Sequence, residues 1–301
     1  MNEIKFLLIL CMALVACSRS DKLIYHDKTA PVDERVEDLL QRMTLEEKLA
    51  QTIFVWRMLG REGSFSTDSA QKYASQGLGG LHRRYLEHSH REAAAEMNDI
   101  QRYFVEQTRL GIPVLMNTEG LRGVKGKNMT VFPSAIGLGS TWDEEMFERI
   151  YAAVALEARC LGMHQVFSPN LDIVRDPRWG RTGENFGEDP YLTSRLGVAF
   201  IKAVQGDGSL IDDRHVAATA KHYAVHGQPV GGINTAPGNI SRGEILNYFL
   251  PPFEAAVREA GVKLVMASYN EVDGIPVHAH RWLLQDVLRD RFGFKGVTMS
   301  D

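Results

Sequence analysis

Along this chain, apolar residues arrive in two alternating patterns: short continuous runs, and stripes spaced three and four apart. The short runs predict buried strands at residues 77–81, 112–116, 166–167, 216–220, 263–267 and 296–299. Between them, the spaced stripes predict helices at 92–110, 141–162, 191–206, 244–260 and 281–292. Upstream, residues 33–40 read as a short amphipathic helix. Thr44 and Glu47 then form a capping box ahead of a helical stripe of Leu49, Ile53 and Phe54. Thr141 and Glu144 have the same box spacing, and Gly162 suits the end of the helix they open.

Strand and helix alternate throughout, which predicts a parallel α/β fold. The strands run into polar residues at Glu119, Asn170, His222, Asn270 and Asp301. In a (β/α)8 barrel all such ends meet on one face, where active sites form. A doubly wound sheet would instead carry a glycine-rich turn after its first strand, and no G-x-G-x-x-G stands in such a position. The expected fold is therefore a TIM-type barrel.

Composition narrows the function. Of 301 residues 44% are hydrophobic, enough for one large domain, and a net charge of -4 argues against a nucleic-acid binder. Residues 6–16 form a short apolar core of secretory-signal length, so residues 1–16 are expected to be a signal peptide. It ends in Leu14-Val15-Ala16-Cys17, similar to a bacterial lipobox with Cys17 as the lipidated residue. That predicts a lipid anchor to the membrane, a tether over residues 17–32, and a periplasmic or outer-membrane lipoprotein of a Gram-negative bacterium. With cleavage before Cys17, Cys160 is the sole remaining thiol and no disulfide framework is available.

The densest chemistry lies in residues 166–190, V-F-S-P-N-L-D-I-V-R-D-P-R-W-G-R-T-G-E-N-F-G-E-D-P. Guanidiniums and carboxylates make charge-assisted hydrogen bonds, and an indole adds a flat apolar platform. A sugar presents hydroxyl edges and C–H faces and needs both. A salt-bridged loop that only supports the fold has the same composition, and Arg178 and Trp179 are read as braces of that kind.

The chain resembles glycoside hydrolase family 3, the β-glucosidase and β-xylosidase family. The resemblance rests on an ordered set: Arg42-Met43-Thr44-Leu45-Glu46-Glu47-Lys48, Phe132-Pro133, Asp176-Pro177-Arg178-Trp179-Gly180-Arg181, Gly187-Glu188-Asp189-Pro190, Lys221-His222-Tyr223, Met266-Ala267-Ser268-Tyr269-Asn270, and residues 296–301. It implies the N-terminal barrel domain over residues 33–301. It also implies a retaining exo-acting β-glycosidase that releases terminal β-D-glucose, with β-xylosidase as the alternative. Asp301 matches the nucleophile. Glu119 matches the acid that grips sugar hydroxyls, while Arg181, Lys221 and His222 match a cluster of donors to the same ring. Met266 and Tyr269 match residues lining the pocket. The implied partner is an oligosaccharide or β-glycoside; no cofactor is implied.

Three departures qualify the likeness. Arg122-Gly123 stands where many members have His-Gly, and residues 227–239 lack a Gly-Gly-Arg-Asp run. Residues 221–227 lack the Pro-Gly pair of the N-acetylglucosaminidase branch, though His226 is kept. About seven strands are expected where a closed barrel has eight, so the chain reads as a fragment, its acid/base residue lying outside it and its own turnover low. Two rivals remain. One is a zinc-dependent hydrolase using His278 and His280 or His88 and His90; the other is a sugar-binding remnant without chemistry.

Overall fold

The computed structural model describes residues 23–56, 65–83, 89–207 and 210–301. The signal segment, Cys17 and His88 lie outside these. Two compact units divide the chain, Met1–Ala50 and Gln51–Asp301. In the first, α1 (Val32–Arg42) carries an Arg42–Asp38 pair one turn apart. Helix α2 (Leu45–Ala50) opens with the expected box. The Thr44 amide donates to Glu47 Oε2 at 2.9 Å, and the Glu47 amide donates to Thr44 Oγ1 at 3.2 Å.

The second unit is built on seven parallel strands: β1 (Phe54–Trp56), β2 (Gly80–His82), β3 (Leu115–Thr118), β4 (Gln165–Val166), β5 (Ala217–Tyr223), β6 (Leu264–Ala267) and, after a small hairpin of β7 (Glu271–Val272) and β8 (Ile275–Pro276), β9 (Val297–Ser300). Each main strand pairs with the next in sequence, β1-β2-β3-β4-β5-β6-β9. Sequential parallel pairing with helical crossovers is the winding of a (β/α)8 barrel, of which the described residues supply seven strands. Strand β6 (Leu-Val-Met-Ala) is buried along its whole length, as expected for a parallel strand covered on both faces.

Helices α3 (Thr67–Tyr73), α4 (His90–Gln107), α5 (Ala135–Gly139), α6 (Glu144–Cys160), α7 (Pro190–Gln205), α8 (Arg242–Glu244), α9 (Pro251–Arg258) and α10 (Trp282–Arg291) follow the strands. Their starts are chemically specified. Asp189 accepts the Leu192 amide at 2.6 Å with Pro190 at the first helical position, and Asp143 accepts the Met146 amide at 2.9 Å. One core of side chains joins helices and sheet, with Phe147, Tyr151, Phe186 and Phe200 packed ring to ring.

Four expectations shift. The stripe Leu49, Ile53, Phe54 is not one helix: α2 stops at Ala50, and Phe54–Trp56 is strand β1, an aromatic and β-branched run that pairs with β2. Strand β3 lies later than 112–116, because Asn117 and Thr118 are polar yet find buried partners in His82 Nδ1 (2.8 Å) and the Arg83 carbonyl (2.7 Å). Helix α6 is capped by Asp143 instead of Thr141, whose hydroxyl donates to the Leu138 carbonyl and closes α5. Residues 244–260 are not one regular helix: a wider turn over Ile245–Phe249 leads into Pro251, which has no N–H to continue the ladder.

Candidate active site

The strand ends converge on one bowl of about 570 Å3, lined by Glu119, Arg181, Lys221, His222, Met266, Tyr269 and Asp301 among others. All seven residues singled out in the sequence within this unit therefore share one cavity. Lys221 and His222 belong to β5 itself, which runs past the expected 216–220 to Tyr223, with a register shift against β6 between Ala220 and Tyr223.

Arg181 is the hub. Its Nε donates to Glu184 Oε1 at 3.1 Å and Nη2 to Glu184 Oε2 at 2.8 Å. Nη2 also donates to His222 Nε2 at 3.0 Å, while Nη1 serves His226 Nε2 and the Tyr269 hydroxyl, each at 3.1 Å. A guanidinium has five N–H donors, and each has an acceptor here. Burial works against the Arg181 charge, but Glu184 more than offsets it and keeps the group protonated. Burial likewise pushes Glu184 up, and the Arg181 hydrogen bonds outweigh it, leaving Glu184 below the usual carboxylate range. Asn170 adds a further donor to Glu184 Oε2 at 3.0 Å.

Lys221 Nζ donates to Glu119 Oε2 at 3.3 Å. His222 behaves differently from the donor role expected of it. Arginine can only donate, so the Nε2 that meets Arg181 must offer a lone pair. The proton then sits on Nδ1, which donates to Asp172 Oδ2 at 2.8 Å. Both ring nitrogens of His222 are thus engaged, Nε2 by Arg181 and Nδ1 by Asp172. Burial first, then Lys221 and Arg181, holds it well below the ordinary histidine range and thus neutral.

Asp301 Oδ2 stands 3.5 Å from His222 Nε2, and the Tyr269 hydroxyl donates to the Asp301 carboxylate. Burial raises Asp301 to about 6, against the opposing pull of Lys221, Tyr269 and Arg181. It remains mostly ionised at neutral pH. The lining also carries an aromatic stack: Trp56 tilts over His82 at 4.6 Å, and His82 stacks on Phe167 at 4.8 Å.

The loop residues divide as expected. Trp179 is buried and its Nε1 donates to Asn234 at 2.9 Å, while Arg178 holds Asp176 through two contacts. Both brace the loop. His278 Nε2 accepts the Asp301 backbone N–H at 3.3 Å. Among the described residues no three His, Cys, Asp or Glu side chains gather as a metal site. Sequence reasoning did not single out Asp172, Glu184 or Trp56. Asp172 lies two residues beyond Asn170, the spacing that returns an extended chain to the same face. Glu184 lies three residues after Arg181, within one turn.

A barrel-type α/β domain with a single ring-sized bowl of hydrogen-bonding groups at its strand ends has the form of a carbohydrate site. Residues 44–301 match the glycosyl hydrolase family 3 N terminal domain. The chain belongs to that family. It is 39% identical over 284 residues to a putative beta-xylosidase of Formosa agariphila, covering 92% of this chain and 37% of that relative. To a periplasmic beta-glucosidase of Salmonella typhimurium it is 33% identical, covering 89% and 33%. The solved β-glucosidase from Erythrobacter marinus superposes with a TM-score of 0.85 at 37% identity, covering 92% of this chain and 37% of that one. A β-glucosidase from Listeria innocua in complex with glucose gives 0.79 at 36% identity, covering 89% and 37%. The chain thus spans about a third of the length of these relatives.

Proposed function

We propose that this chain supplies the glycone-binding half of a retaining, exo-acting β-glycosidase that removes terminal β-D-glucose. Asp301 attacks C1 of the sugar while the leaving oxygen takes a proton; water then breaks the glycosyl ester. Glu119 and Lys221 hold the ring hydroxyls, while Arg181 and His222, paired with each other, form the wall against which the same ring sits. Met266 and Tyr269 shape the wall beside the nucleophile. Retention calls for a second carboxyl group about 5 Å from the first. We assign that acid/base role to the part of the relatives' length that this chain does not span.

The observation that carries the proposal is the position of Asp301. It is mostly shielded, within 3.5 Å of His222, in the same bowl as Glu119 and Lys221. A fluorinated glucoside with a good leaving group, which needs no proton donor, tests it. Mass spectrometry of the digested adduct is expected to find the label on Asp301; a label elsewhere, or none on folded protein, overturns the assignment. The likeness to the Formosa agariphila putative beta-xylosidase favours xylose as the second reading. Labelling by fluorinated xyloside and glucoside in parallel ranks the two.

The same reading has residues 1–16 removed on export and Cys17 lipidated, placing the protein in the periplasm. Among the described residues no helix is long and apolar enough to cross a membrane.

A further inference from the structure

Among the described residues, the charges lining the bowl do not cancel. Lys221 pairs with Glu119 and Arg181 with Glu184, leaving Arg122, Lys125 and Asp301 as the charged lining residues outside those two pairs. Neither Arg122 nor Lys125 has an acidic partner among the described residues. Arg122 is exposed and tethered at its base. Its carbonyl accepts the Phe132 amide at 3.0 Å, and its Nε donates to the Phe132 carbonyl at 3.4 Å, which leaves both terminal nitrogens without an acceptor. An excess of one cation, carried by two exposed side chains, is an odd lining for glycoside cleavage, whose transition state gains positive charge at C1. They become useful once the substrate itself carries a negative group.

We propose that Arg122 and Lys125 form a site for an anionic substituent, a carboxylate or a sulfate ester, on the glycoside that occupies this bowl. The guanidinium fork matches either oxyanion in a two-bond arrangement, and the lysine adds a point charge beside it. This rests on the glycoside reading above and specifies its substrate class.

The test is titration of the whole chain, followed by calorimetry, with methyl β-D-glucoside, methyl β-D-glucuronide and a 6-sulfated methyl β-D-glucoside. At low ionic strength at least one charged sugar is expected to bind about tenfold tighter than the neutral one, an advantage that shrinks with added salt. Comparison of the two charged sugars separates carboxylate from sulfate. In the Arg122→Gln/Lys125→Gln double variant the advantage disappears, whereas Arg122→Lys retains most of it. Charged sugars that bind no better than the neutral one overturn the inference, as does an advantage that survives the double variant. Binding of the neutral glucoside that is lost in Lys221→Ala supports the bowl reading by itself. If no sugar binds the folded chain, that reading fails and this inference with it.

Discussion

Asp172 Oδ2 lies 2.8 Å from His222 Nδ1, and both side chains are sealed, each about 1% exposed. Burial pushes Asp172 up to about 6, so at neutral pH it is still largely a carboxylate and accepts the Nδ1 proton. It also receives the His222 backbone amide at 3.4 Å. One buried acid therefore sets the ring orientation and, together with Arg181 at Nε2, the tautomer of a residue facing the sugar site. The second effect passes on to Arg181, which needs the Nε2 lone pair as one of its five acceptors.

Removing that acid is the first test. Asp172→Ala leaves a buried Nδ1–H and a backbone N–H without their acceptor, which costs about 1–3 kcal/mol for each unsatisfied group. Urea unfolding of this variant is expected to show that loss. Asp172→Asn keeps the acceptor oxygen and is expected to lose less. 15N chemical shifts of His222 report the tautomer, which is expected to stay Nδ1-protonated in both variants because Arg181 still needs the Nε2 lone pair. Parental stability in Asp172→Ala contradicts the positioning role.

Arg181→Lys is the second. A lysine offers three donors where five are in use, and none in the planar fork that meets Glu184 through both oxygens. At least two acceptors among Glu184, His222, His226 and Tyr269 lose their partner. Glucoside affinity is expected to fall by about tenfold or more, at roughly 1.4 kcal/mol per decade. Retained affinity in a calorimetric titration contradicts the hub assignment.

Much of the frame was legible because five of the seven main strands announce themselves twice, by an apolar run and by the polar residue ending it. The lysine and histidine of β5, the tyrosine after β6 and the terminal aspartate were all visible in this way. What escaped depends on partners far along the chain. Strand β1 was lost because Leu49, Ile53 and Phe54 satisfy helical spacing, and only pairing with β2 decides between the two. The Asp273-Gly274 pair between β7 and β8 is a hairpin signal, with both residues at positive φ (54° and 73°), and was readable but passed over. Asp172 could not be assigned from sequence, since its role exists only when His222, fifty residues on, folds against it.

The loop that carries Glu119 and Arg122 supplies a third prediction. Gly123 sits at φ +98°, and a Cβ there would fall 2.0 Å from the Thr130 carbonyl oxygen. Both backbone conformation and space exclude a side chain. Gly123→Ala is expected to cost at least about 1–3 kcal/mol from the backbone term alone. Because the loop must move to relieve the contact, glucoside affinity is expected to drop as well. A variant with parental stability and affinity contradicts the stated geometry.

The last prediction concerns pH, where acids and histidines of this site act in opposite directions. Asp301 and Asp172 are raised from 3.8 to about 6, so the stability they contribute is complete below pH 3.8 and is lost as pH rises through 6. His226 is lowered from 6.5 to about 4, chiefly by burial, so its contribution is complete above pH 6.5 and is lost as pH falls through 4. The windows overlap, and the two effects partly cancel between pH 4 and 6.5. Asp301→Asn removes one acidic contribution, so the thermal midpoint of that variant is expected to climb more steeply with pH across this window than the parent's. A slope equal to the parent's, or shallower, means that Asp301 is not held in its uncharged form by burial. Labelling of the parent by the fluorinated glucoside reads the same group from the other side. Its rate is expected to fall about tenfold per pH unit below 6 and to level off above 7, following the ionised fraction of the nucleophile.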